Sequence, residues 1–291
     1  RNEPVLARAP SARYRVGKFI RRHRMGVAAS AAVLVSLLAG LVLATTGMVQ
    51  AQLAERRAEQ EAEAARQVSD FLVTLFRVND PSEARGNSIT AREILDRGAE
   101  RIQAELSDQP LVQARLLRTL GEVFFSLGLY EEAGPLLEDG VTLDHQLFPS
   151  SDPESAASTY QLGRLLHKQG RYEEAEPLYR QTLETLEGSL GQADDRLASA
   201  LNSLGNLLLE QGRYDEAEPL VLRGLALRES AQPSDDLAIA GSLEALGVLR
   251  ARQGDFEGAD SFFSRTLEIR EAILGGSHPE VGQSLSNLGA V

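Results

Sequence analysis

Gly-Arg-Tyr-Glu-Glu-Ala-Glu-Pro-Leu at 170–178 and Gly-Arg-Tyr-Asp-Glu-Ala-Glu-Pro-Leu at 212–220 differ by a single methylene and stand 42 positions apart. Outward from this pair the register continues. Leu-Gly pairs fall at Leu120-Gly121, Leu162-Gly163, Leu204-Gly205, Leu246-Gly247 and Leu288-Gly289, each 42 residues after the last. Gly128, Gly170, Gly212 and Gly254 follow at a fixed offset, then Tyr130, Tyr172, Tyr214 and Phe256, then Ala133, Ala175, Ala217 and Ala259. Pro135, Pro177 and Pro219 complete the pattern, with Ser261 in the fourth unit. A register held this long without an insertion marks a chain of stacked repeats.

Each unit reads as a pair of helices. Gly121 and its equivalents are small enough for two helices to approach closely. Gly128 and its equivalents end the first helix, where a left-handed backbone costs least without a Cβ. Pro135 and its equivalents are expected in the first turn of the second helix, where the missing N–H matters little. Leu116, Leu117, Leu120, Phe124, Leu136, Leu137 and Val141, with their equivalents, supply a shared core. One pair buries too little alone, so neighbours stabilise it.

These offsets resemble tetratricopeptide repeats, and the 42-residue period resembles the longer form found in kinesin light chains. Ala-Leu-Asn-Ser-Leu-Gly at 200–205 and Gly-Ser-His-Pro-Glu-Val at 276–281 are similar to that form as well. The resemblance covers residues 109–291, four full units and a truncated fifth. It implies an all-α fold, a right-handed α-solenoid. The fourth unit departs most, at Arg250, Phe256, Gly258 and Ser261.

Residues 25–49 hold no charged side chain and are mostly Ala, Val, Leu and Gly. About 20 apolar residues cross a bilayer as a helix, whereas the apolar part of a signal peptide runs to roughly 7–15. A single transmembrane helix is therefore expected. Residues 1–24 carry eight Arg or Lys and one Glu, and the remaining chain carries 22 basic and 41 acidic side chains. Basic flanks stay in the cytoplasm, which makes residues 1–24 a cytoplasmic juxtamembrane arm of an inner-membrane protein. The repeats then lie in the periplasm or outside the cell. The arm can also gain about 1 kcal/mol per cation from an anionic leaflet. An acidic body excludes nucleic acid as its main partner.

Ala28, Ala32, Ser36, Gly40 and Ala44 recur every fourth residue within the span. Such a stripe either lets a second helix approach, giving a homodimer, or simply faces lipid. Residues 50–78 read as a charged helical stalk, long enough to reach roughly 40 Å. It is expected to end before Asp80-Pro81. Residues 79–108 follow as a capping segment whose helix starts at a Thr90/Glu93 capping box.

Pro10-Ser11, Tyr14-Arg15 and the run from Lys18 to Arg24, set directly before a span, resemble the linker that follows the catalytic domain of bacterial transmembrane serine/threonine protein kinases. That resemblance implies a C-terminal interaction or sensing region of such a kinase. The sequence starts at Arg1 rather than Met and stops at Val291 within a unit, which fits a fragment. The alternative is a free-standing, membrane-tethered scaffold.

No catalytic motif is present. Kinase chemistry needs a strand lysine and an Asp-Phe-Gly, but the chain has only Lys18 and Lys168, and Asp255-Phe256-Glu257 falls at an inter-helix turn. With no cysteine and no metal-ligand spacing among His23, His145, His167 and His278, neither metal nor cofactor is expected. Function is expected in a groove. In the tetratricopeptide resemblance the first helices line the concave surface. Offsets from Leu-Gly place Arg118, Tyr160, Asn202 and Glu244 in one row. Glu122, Arg164 and Asn206 form a second, and Lys168 and Arg252 belong to a third. This mixture of charge, amide and aromatic groups suits a protein or peptide ligand.

Overall fold

The structure is a computed structural model that describes residues 17, 19–77, 90–189, 195–231 and 234–291. Most of the basic arm, and the expected stop at Asp80-Pro81, lie outside the described residues. The chain divides into two units, Arg1–Arg66 and Gln67–Val291.

The first unit holds most of one continuous helix, α1 (Arg24–Arg77). This helix is long and apolar enough to cross a membrane by length and composition. Leu37, Leu38, Leu41 and Leu43 lie exposed on its surface. The small residues Gly40 and Gly47 have open space beside them.

The second unit starts with the last turns of α1 and α2 (Ala91–Glu105). The Thr90 side chain accepts from Glu93 N at 3.2 Å, and Glu93 Oε2 accepts from Thr90 N at 2.8 Å, so the capping box is complete. Arg101 lies over the Phe71 ring at 5.3 Å, and Ile102 is fully buried.

Four helix pairs follow: α3 (Pro110–Ser126) with α4 (Tyr130–Leu147), α5 (Pro153–Lys168) with α6 (Tyr172–Ser189), α7 (Asp195–Glu210) with α8 (Tyr214–Ser230), and α9 (Asp236–Arg252) with α10 (Phe256–Leu274). A final helix, α11 (Pro279–Leu288), packs on α10. Each second helix packs on the first helix of the next pair.

The turn inside each pair has one construction. Gly128, Gly170, Gly212 and Gly254 all have φ between 75° and 81°. In the first pair Gly128 N donates to Phe125 O at 3.0 Å and Leu129 N to Phe124 O at 2.9 Å. This double closure satisfies carbonyls that the helix end would leave open. The Leu-Gly glycines are required by contact instead. A Cβ on Gly121 would lie 2.7 Å from Leu137, and one on Gly163 would lie 3.1 Å from Tyr179. Gly205 faces Val221 and Gly247 faces Phe263 in the same way. Ala133, Ala175, Ala217 and Ala259 are completely buried where the helices cross.

The prolines sit elsewhere than expected. The second helices begin at Tyr130, Tyr172 and Tyr214, so Pro135, Pro177 and Pro219 fall in the second turn, inside the helix. The turn is so short that the helix starts two residues after its glycine. Each proline therefore withholds one backbone N–H from the carbonyl four residues earlier.

Candidate functional site

First helices of successive pairs, α3 with α5, α5 with α7 and α7 with α9, come closer to one another than the second helices do. They therefore form the inner side of the stack. The rows named from the sequence lie on these helices, and the structure separates them by depth.

The first row is a seam between repeats. Arg118 Nη2 donates to Glu154 in α5 at 2.9 Å while Nη1 reaches Asp144 in α4 at 3.4 Å. Tyr160 OH meets Ser203 Oγ in α7 at 2.9 Å. Asn202, 8% exposed, donates to Ser242 in α9. Glu244 accepts from Asn287 in α11 at 2.7 Å and from Arg270 in α10 at 2.7 Å. Every member of this row thus binds the first helix of the following pair.

The second and third rows are open to solvent on this inner side. Glu122 is exposed and accepts from Gln161 at 3.2 Å. Arg164 stacks its guanidinium over Phe125 at 4.6 Å and over Tyr160 at 5.9 Å, with Glu122 at 3.8 Å. Held flat by two rings, the guanidinium keeps its N–H edge available for a carboxylate or a carbonyl. Asn206, Lys168 and Arg252 are exposed. Neither Lys168 nor Arg252 has an ion-pair partner among the described residues. Between them, Glu210 accepts from His167 at 3.1 Å. It also holds the Tyr172 hydroxyl, which raises the pKa of that phenol.

Polar side chains on the second helices complete the seam. Asp144, Arg228 and Arg270 occupy one register position and are all buried. Burial pushes the Asp144 carboxyl above its ordinary value, and this outweighs the opposing pull of Arg118 and Ser158. Arg228 donates to Ser242 Oγ at 2.8 Å, to Ala238 O at 3.0 Å and to Ser199 Oγ at 3.0 Å. Arg270 donates to Ser284 Oγ at 2.8 Å. Reasoning from the Leu-Gly pair overlooks these residues. A signal was available: charged residues recur where the second repeat has Leu186.

A cleft of about 240 Å³ opens between α5, α6 and α7. Ala156, Tyr160, Thr182, Leu186, Asp195 and Ser199 line it. Among the described residues no three His, Asp or Glu side chains come together as metal ligands. The inner face offers a held guanidinium, exposed cations, an amide and acceptors, a set suited to reversible polar binding.

A tetratricopeptide repeat family model matches residues 154–230 and 238–291. No curated protein matches the sequence. Among solved structures, BtubC (BKLC) from P. vanneervenii is 22% identical with a TM-score of 0.56, covering 75% of this chain and 92% of that one. A candidate kinesin light chain from Podosopora anserina, built of nearly identical TPR-like repeats, is 19% identical with a TM-score of 0.53 over 71% of this chain and 96% of its own. A point variant of that protein is 21% identical, with a TM-score of 0.51 over 60% and 83%. These likenesses establish the fold, an all-helical tetratricopeptide-like solenoid.

Proposed function

We propose that this chain is a membrane-anchored protein-interaction region whose partner lies along the inner face of α5 and α7. Tetratricopeptide repeats are scaffolds for protein partners, and the observation that carries the assignment to this face is Arg164. Its guanidinium is fixed over Phe125 and Tyr160, so little side-chain entropy is lost when a partner carboxylate or carbonyl arrives. Lys168, Asn206 and Arg252 extend the exposed polar face in both directions, and Glu122 sets its acidic edge. Arg118, Tyr160, Asn202 and Glu244 support the face from beneath by linking the repeats.

In this reading α1 crosses the inner membrane, the basic arm stays in the cytoplasm and the repeats work outside it. The arm's resemblance to kinase linkers supports a serine/threonine kinase domain preceding Arg1, with the repeats as its sensing region. Sequencing the coding DNA upstream of Arg1 tests that part. Kinase motifs in frame support it, and a start codon beside Arg1 leaves a tethered scaffold.

Photo-crosslinking in cells tests the face. A crosslinker at Asn206 or Lys168 should trap a discrete partner that Arg164→Ala abolishes, whereas one at Glu184 or Ala226 on the second helices should not. Equal trapping from both sides would refute the inner face as the binding surface.

A further inference from the structure

The junctions between helix pairs are not alike. One register position on the second helix holds Asp144, Leu186, Arg228 and Arg270, and the position 14 residues later holds Ser158, Ala200, Ser242 and Ser284. The two positions vary together. Wherever the first is charged, the second is a serine: Ser242 Oγ accepts from Arg228 at 2.8 Å and Ser284 Oγ from Arg270 at 2.8 Å, whereas the Ser158 hydroxyl donates to Ser155 O at 3.1 Å beside Asp144. Each serine lies on the first helix of the next pair and is buried. The last two of these three junctions therefore carry a buried arginine–serine lock. The first is tied differently, by Arg118, which bonds the buried Asp144 and reaches across to Glu154, and by His145 against the buried Thr159. Glu244 with Asn287 reinforces the last.

At the junction between the second and third pairs both positions are apolar. Leu186 is 2% exposed and Ala200 is fully buried, in one continuous apolar cluster. The 240 Å³ cleft opens at this same place, with Leu186 in its wall. Buried hydrogen bonds fix distance and direction, because breaking one strands a polar group in a low dielectric. Apolar contact has no preferred direction, and the cleft provides room for movement. The polar links that do cross this junction are on partly exposed side chains. Tyr160 meets Ser203 and Ser199 O, His167 meets Glu210, Arg213 and Arg223 reach Glu176 and Glu187, and Arg180 reaches Glu216. Links left partly open to water hold less firmly than fully buried ones.

We infer that the repeat stack articulates at this junction. The pairs α3/α4 and α5/α6 move as one block, and α7 to α11 move as the other. Tilting narrows or widens the cleft and changes the curvature of the inner face. Arg164 and Lys168 stand on one block, and Asn206 and Arg252 stand on the other. A partner that touches both sets selects one curvature from those already populated; this last step rests on the inner face being the binding surface, whereas the articulation does not.

The chain has no cysteine, so spin labels can be placed uniquely. Thr142→Cys and Glu268→Cys occupy equivalent exposed positions in the first and fourth pairs. Electron–electron distance measurements on the full chain in detergent micelles read the articulation directly, without any partner. The unlocked chain should give a broad distance distribution. Leu186→Arg with Ala200→Ser installs the missing lock, and the cleft has space for the longer side chain; the distribution should narrow. Arg228→Leu with Ser242→Ala removes a lock, and the distribution should broaden further. Circular dichroism establishes that each variant is folded. A folded L186R/A200S chain with an unchanged distribution overturns the inference. So does an R228L/S242A chain that is no broader than its parent.

Discussion

At the scale of single residues, glycine is used here for two unrelated reasons. Gly205 has ordinary helical geometry but no room, since a Cβ would run into the Val221 side chain. Gly212 has open space but a φ of 77°. Gly205→Ala should cost about 1–3 kcal/mol through overpacking, and Gly212→Ala roughly 1–2 kcal/mol through backbone strain. Urea unfolding separates them by coupling. Val221→Ala should relieve the first, giving a double variant less destabilised than the sum of the singles, and should simply add to the second. Additivity in both cases would mean that contact is not what selects glycine at 205. Asp144 makes a pH prediction. Its folded pKa is raised by burial, so folding takes up a proton at this site. The associated stability is complete below the unfolded value and is lost as pH rises through the raised folded value. Asp144→Asn removes that dependence. Stability of the Asn variant relative to the parent should therefore be more favourable near neutral pH than in acid. The opposite trend would show that Arg118 dominates the site.

At the scale of elements, the exposed and the buried ion pairs should differ sharply in worth. Arg223 with Glu187 and Arg265 with Glu229 repeat at one spacing between second helices, and both are about half exposed. Removing Arg223 should cost less than about 1 kcal/mol. Arg228 has a side chain only 9% exposed and donates to three oxygens, so Arg228→Ala should cost about 2 kcal/mol or more. Equal costs in denaturant titrations would remove the buried network as a stabilising feature. The helices themselves are legible from sequence because their signals are local. A glycine at positive φ, a buried alanine and a capping box each act within a few residues of where they stand. The proline positions are less legible, because the start of a helix depends on the turn before it. Here the turn spends only Gly128 and Leu129 before Tyr130 begins the helix. The site is legible only in part, for a different reason. Arg118, Tyr160, Asn202 and Glu244 share a face by periodicity, but depth on that face is set by the next repeat. Sequence spacing within one unit carries no information about Ser203 or Ser242 arriving opposite.

At the scale of the whole molecule, the charge distribution and the apolar run make one proposal testable as a unit. Eight cations precede the apolar run, and the chain beyond it is strongly acidic. If α1 crosses the inner membrane with the basic arm inside, two measurements should agree. Alkaline carbonate, which strips peripheral proteins, should leave the chain with the membranes, because the exposed leucines at 37, 38, 41 and 43 need lipid. Protease added to spheroplasts should digest the repeats while sparing an epitope placed before Arg13. The orientation rests on Arg13, Arg15, Lys18, Arg21, Arg22 and Arg24, since flanking Lys and Arg, rather than Asp and Glu, set topology. Replacing those six with Gln and adding Lys beyond Val49 should invert the result, so that the epitope is cleaved and the repeats survive. Release by carbonate would exclude a spanning helix. Retention with protected repeats in the unmodified chain would keep the anchor but reverse its direction, and the partner would then have to be sought in the cytoplasm.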